Sequence, residues 1–209
     1  MDSEILQVAL VGLDWDLLDL IENMQELHLA GVLDNDASAI AGDILLLGGD
    51  SDWQEVKASR PNLKVILAVD PPKVRKNLFS HYGSSAVVGL KSTSSHISGR
   101  ATLGHGVIIQ RGVHVMPKAK LGKACKLHLN VSVHHEVEIG DFCTIGPGAQ
   151  LLGNVQVGEG TYIGAGAIIK QRCRIGKNAT VGAGAVVVGD VPDDITVVGV
   201  PAKRISCKD

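Results

Sequence analysis

The sequence predicts a small α/β domain followed by a β-helix, and three features carry that prediction. Aliphatic residues recur at every sixth position from Ile97 to Val187, by way of Leu103, Ile109, Val115, Leu121, Leu127, Val133, Ile139, Ile145, Leu151, Val157, Ile163, Ile169, Ile175 and Val181. A smaller residue stands two places before each member after Ile97, among them Ala101, Val107, Cys125, Cys143, Ala167, Cys173 and Ala185. Ahead of this pattern, short apolar runs alternate with amphipathic stretches. A period of six suits neither an α-helix nor an alternating strand, but it fits a solenoid of short strands and turns. Gly often follows the large residue, as at Gly104, Gly122, Gly140, Gly146, Gly158, Gly164, Gly176 and Gly182, where a turn needs a small or permissive residue.

The first part reads in order as strand 5–11 ending at Gly12, helix 16–27, strand 29–33, strand 63–69, helix 72–81 and strand 86–90. Leu17, Leu20, Ile21 and Met24 share one face of the first helix. Alternating strands and helices predict a doubly wound sheet. The expected domains are 1–91 and 92–209.

With 209 residues and a formal net charge of -2, the chain has core-forming capacity but no basic run suited to nucleic acid. The start Met1-Asp2-Ser3-Glu4 lacks a basic signal flank, and 44–47 is too short to span a membrane, so a cytoplasmic protein is expected. Cys125, Cys143 and Cys173 fall in the inward small slot and read as buried apolar residues in a reducing compartment, with Cys207 in an exposed tail. The patterns Asn130-Val131-Ser132 and Asn178-Ala179-Thr180 are read as chance matches to a glycosylation site.

Candidate chemistry divides between the two parts. In doubly wound folds a nucleotide often binds where the first strand ends, here at Gly12, but Asp14 and Asp16 would repel a diphosphate. Asp34 and Asp36 can accept from a ribose or base, or simply cap a turn. Arg75 can reach a phosphate or serve as a surface charge. On the solenoid, Val133 and Val137 point inward, leaving His134, His135 and Glu136 on a turn. An imidazole beside a carboxylate is a general base with its orienting partner, hence His135 and Glu136. The rival chemistry is a metal held by His128, His134 and His135 with Glu136 or Glu138. Small residues at 146–149, 153, 164–167 and 182–185 lower one surface, so that an amide-bearing arm could bond to the main chain.

The large-aliphatic, Gly, four-residue pattern resembles the hexapeptide-repeat acyltransferases. The whole chain is similar to bacterial sugar acetyltransferases of surface-glycan biosynthesis. That resemblance implies a Rossmann-like first domain, a left-handed parallel β-helix, a homotrimer with active sites between subunits, and acetyl-CoA as donor without a metal. It implies His135 and Glu136 as general base and partner, from the His-Glu pair ahead of Ile139-Gly140, and Asn130 near the sugar. It further implies Gly153, Ala165 and Ala183 along the pantetheine arm, with Lys203 in Val198-Gly199-Val200-Pro201-Ala202-Lys203 at a CoA phosphate. Leu33-Asp34-Asn35-Asp36 would hold the base and ribose of a sugar nucleotide, and residues 69–75 would approach its diphosphate. Two departures stand out. The Gly- and His-containing loop is replaced by Leu13-Asp14-Trp15-Asp16-Leu17, and Thr144 holds the place of a second histidine near the thioester carbonyl.

The expected reaction is N-acetylation of a nucleotide-linked 4-amino-4,6-dideoxy sugar. His135 would remove the proton of the attacking amine, and main-chain N–H groups or Thr144 would stabilise the oxyanion. The alternatives are O-acetylation of sialic acid or a related sugar, and a non-catalytic trimeric scaffold.

Overall fold

A computed structural model describes residues 5–36 and 44–205. Two compact units form: Met1–Val69 with Asn77–Gly89, and Asp70–Lys76 with Leu90–Asp209. Cys207 lies outside the described residues. Among the described residues no helix is long and apolar enough to cross a membrane.

The first unit holds β1 (Leu6–Val11), α1 (Trp15–Glu22), β2 (Leu27–Leu33), β3 (Leu46–Gly48), α2 (Trp53–Ser59) and β4 (Lys64–Leu67). Its sheet is parallel in the order β3-β2-β1-β4. β1 is buried from Val8 to Val11, because a parallel strand covered on both faces has no solvent side. Ala9 and Val11 pack in one cluster with Leu33, Trp53, Val65, Leu67, Leu78 and Tyr82. Neither β3 nor α2 was expected. The strand expected at 86–90 is reduced to a bridge between Val87 and Val65, and Leu90 instead pairs with Ile108 in the coil. Helix α3 (Pro72–Tyr82) follows β4. Its first turn, with Asp70 and Pro71, belongs to the second unit.

The second unit is a left-handed parallel β-helix of two-residue strands, eighteen residues to the coil, as in the pairs Lys120↔Glu138 and Lys126↔Thr144. Three sheets run its length, and each corner is a four-residue turn. The expected inward residues line a continuous core, with Val133, Ile145, Leu151 and Ile163 all 0% exposed. Cys125, Cys143 and Thr161 occupy one inward column and do more than fill space. Their side chains donate to the carbonyls of Gly140 (3.0 Å), Gly158 (3.0 Å) and Gly176 (2.6 Å) on the next coil.

The glycines after the large residues serve close approach rather than turn geometry. A Cβ at Gly158 would stand 2.5 Å from Lys177 N, and one at Gly164 would stand 2.6 Å from Ala183 N. Left-handed backbone instead falls two places later, on Gly148, Gly166 and Gly184 but also on Lys118, Asn130, Glu136, Asn154 and Arg172. Asn tolerates this region better than most side chains, which suits it to such turns.

Candidate active site

The turn at 134–137 presents the two side chains that the sequence nominated as general base and partner. Val133 and Val137 are buried and anchor its ends, while His135 and Glu136 lie on the surface. A φ of 60° at Glu136 turns its carboxylate back to the preceding ring, so that Oε2 lies 3.3 Å from His135 Nδ1. Glu136 Oε1 also accepts from Lys118 Nζ at 3.2 Å, one coil below. The Lys118 hydrogen bond first, and the His135 contact second, hold the Glu136 carboxyl below the usual carboxylate range. With the carboxylate against Nδ1, Nε2 is the nitrogen left to accept a proton.

Gly153, expected along the pantetheine arm, lies beneath this ring. A Cβ there would be 2.6 Å from His135 Cε1 and 2.7 Å from Nε2. The ring's seat is therefore the bare backbone of the next coil. Beside the turn runs an open groove of about 500 Å³, lined by Arg100, Lys118, Lys120, Glu136, Glu138 and Asn154 among others.

A second corner carries the other expected donor-binding residues. Ala165 and Ala183 are exposed and stack one coil apart at the centres of Gly164-Ala165-Gly166 and Gly182-Ala183-Gly184. Gly184 N donates to Ala165 O at 2.8 Å, and Gly166 N donates to Pro147 O at 2.8 Å. The result is a low track of small residues that ends, one coil further down, at His128-Leu129-Asn130. Asn130 is exposed on that turn, with its side-chain oxygen over Gly112. This column and the His135 turn occupy different corners of the coil, separated by the strand Ser132–Val133. Lys203 is exposed on the terminal strand, which pairs antiparallel with Val197–Val198.

Two expected ligands are corrected. Arg75 is 1% exposed and cannot meet a diphosphate. Its guanidinium donates instead to the carbonyls of Asp70, Ala124, Phe142 and Cys143 and to Thr144 Oγ1, at 2.8–2.9 Å. Thr144 is 0% exposed, and its hydroxyl donates to Asp70 O at 2.6 Å while accepting from Arg75. Its one proton is already committed, so it has none to offer an oxyanion. Together these residues form a strap that fastens 70–76 to one sheet of the coil.

The strap brings together a cluster that sequence reasoning missed. Lys126, with its side chain 1% exposed, donates to Asp70 Oδ1 at 2.6 Å, and His128 Nε2 lies 3.1 Å from the same oxygen. Burial alone would raise the Asp70 carboxyl, but hydrogen bonds from His128 and Lys126 outweigh it and hold the group far below the usual carboxylate range. Among the described residues, no three His, Cys, Asp or Glu side chains converge on a metal position.

In the α/β unit, Gly12 adopts a φ of 81° after β1. Asp34 accepts from Leu13 N (3.2 Å) and Asp36 N (3.0 Å), which makes it a fastener of two turns. Asp14 caps α1 by accepting from Leu17 N at 3.0 Å. That carboxylate occupies the helix N-terminus where a phosphate would otherwise find its N–H donors.

Comparison with known proteins bears on both units. The pattern of the bacterial transferase hexapeptide (six repeats) family matches residues 136–171 and 154–189. No curated protein sequence matches the chain. Among solved structures, a histidine-to-alanine variant of GDP-perosamine N-acetyl transferase from Caulobacter crescentus, in complex with CoA and GDP-perosamine, is similar at 26% identity, with 95% of this chain and 96% of that one covered and a TM-score of 0.86. WeeI from Acinetobacter baumannii AYE is similar at 27% identity, with 95% and 99% covered and a TM-score of 0.82. The acetyltransferase domain of PglB from Neisseria gonorrhoeae FA1090, in complex with acetyl coenzyme A, shares the fold at 24% identity, with 96% and 99% covered and a TM-score of 0.85.

Proposed function

Because the coil of this chain belongs to the bacterial transferase hexapeptide family, we propose that the protein is an acetyl-CoA-dependent N-acetyltransferase. Its acceptor is the amine of a nucleotide-linked 4-amino-4,6-dideoxy sugar. Likeness over nearly the whole chain to a GDP-perosamine N-acetyl transferase supports the reaction class. The observation that carries the reading is the His135 imidazole, paired with Glu136 and seated on Gly153.

His135 Nε2 takes the proton of the attacking amine while Glu136 holds the ring and favours the imidazolium that forms. The acetyl group arrives as the thioester of CoA, whose arm fits the Gly164-to-Ala183 track, with Lys203 at a phosphate. Main-chain N–H groups stabilise the oxyanion, since the Thr144 hydroxyl is committed to the strap. The track and the His135 turn lie on separate corners, which supports a site completed by a second copy and hence a homotrimer. Gly12, Asp34 and Asp36 remain the sugar-nucleotide candidates, with Asp14 and Asp34 both already engaged with the main chain. Asn130 stands at the sugar.

Thiol release from acetyl-CoA is the direct test, run with UDP- and GDP-linked 4-amino-4,6-dideoxyhexoses beside free sialic acid. Turnover with the amino sugars and none with sialic acid is expected, and His135→Ala should abolish it without changing the oligomer. Turnover with sialic acid alone would establish the O-acetyl reading, and no turnover with any acceptor would favour a scaffold.

A further inference from the structure

An amine acceptor near neutral pH arrives largely as an ammonium, which has no lone pair, so acetylation requires removing two protons from one nitrogen. His135 accounts for one of them. We infer that the Asp70–His128 pair takes the other, accepting a proton from the acceptor's ammonium before attack. The inference rests on the amine-acetylating reading above.

The geometry is that of an oriented base. Asp70 Oδ1 lies 3.1 Å from His128 Nε2, which places the ring proton on that nitrogen and leaves the Nδ1 lone pair to accept another. Among the described residues Nδ1 has no hydrogen-bond partner. The carboxylate is itself fixed by the buried Lys126 at 2.6 Å, so the ring cannot pull it out of line. The His128 side chain is 12% exposed, enough to open one edge while excluding bulk water from the rest. Its position matches the need: it stands at the foot of the small-residue column where the track carrying Ala165 and Ala183 ends, and two residues from Asn130. The charged groups around it are Asp70 and Lys126, with Arg75 donating to the Asp70 carbonyl. Above and below in its column stand Gly146 and Gln110, neither of which titrates.

The step balances as a proton transfer. The ammonium's N–H bond breaks, its electron pair stays on nitrogen, and the proton bonds to His128 Nδ1 to give an imidazolium beside the Asp70 carboxylate. The amine then attacks the thioester carbonyl. His135 takes the second proton and delivers it to the departing thiolate of CoA.

The test is the pH profile of kcat/KM for His128→Gln, using the amino-sugar nucleotide that the wild type acetylates fastest. Glutamine keeps a donor toward Asp70 but accepts no proton, so only free amine reacts and the acid limb moves up to the acceptor's own titration. For an amine with pKa about 8 the loss is about tenfold at pH 7 and closes by pH 9. A merely structural role lowers kcat/KM by one factor at every pH. The double variant Asp70→Asn with Lys126→Met removes the carboxylate without stranding the lysine, and should move the limb in the same direction. Wild-type turnover together with an unmoved limb in His128→Gln would overturn this inference alone. Absence of wild-type turnover with any amine would overturn the reading beneath it as well.

Discussion

The imidazole of His135 lies against the backbone of Gly153, close enough that a Cβ at Gly153 would overlap its Cε1 and Nε2. The ring is the only part of this contact free to give way, since its side chain is 59% exposed. Gly153→Ala should therefore leave the coil folded and displace the ring proposed as the base. We expect kcat to fall about tenfold to a hundredfold, as for loss of general-base alignment, with the melting temperature within about 2 °C of wild type. Steady-state kinetics beside a thermal melt separate these effects, and an unchanged kcat would mean that the ring is not seated there when it works.

Glycines of the same turn differ in what they protect. A Cβ at Gly164 would lie 2.6 Å from Ala183 N and 2.8 Å from Gly182 C, atoms of the main chain that cannot move alone. Gly166 faces open space but has a φ of 65°. Gly164→Ala should cost about 3 kcal/mol through overpacking, and Gly166→Ala about 1–2 kcal/mol through left-handed strain alone. Urea midpoints would rank them, and the reverse order would refute the stacking argument.

The strap yields a third expectation. Arg75 satisfies several buried carbonyls at once, so Arg75→Lys keeps the charge but strands acceptors that each cost about 1–3 kcal/mol when unpaired. Chemical denaturation should show a loss of about 3 kcal/mol or more. Because the guanidinium is buried, UDP or GDP affinity of the protein that remains folded should be unaltered.

Acid sensitivity follows from Asp70. Its carboxyl titrates lower in the folded protein than in the unfolded chain, so its contribution is complete above the unfolded carboxylate range and is lost as pH falls beneath about 4. Asp70→Asn should lower the urea midpoint at pH 7 and narrow the gap between pH 7 and pH 3. A gap as wide as in wild type would remove Asp70 from the account.

The sequence was most legible where one physical demand repeats. A narrow core admits a large aliphatic and a small partner at fixed spacing, which made the coil readable from Ile97 to Val187. The corner glycines were placed correctly, although the need they meet is room for the next coil rather than an unusual φ. β3 and α2 were missed because a three-residue strand and a seven-residue helix carry too few positions to show a period. The His135–Glu136 pair was readable because both partners are neighbours in sequence. Arg75 and Thr144 were misread because all of their partners but the Asp70 carbonyl beside Arg75 lie 49 to 74 positions away, and nothing local to either residue marks it as buried. The pairing of Asp70 with His128 was hidden for the same reason.

The matched register of the three sheets also constrains how such a chain can change in length. Inserting one residue within a coil would shift every later glycine out from under its neighbour and turn the following aliphatics outward. Growth is tolerated in steps of a whole eighteen-residue turn, or as an excursion leaving and rejoining at a single corner. Lineages carrying this scaffold are thus expected to vary by repeat number and by looped-out insertions, while point insertions along the straight edges are purged.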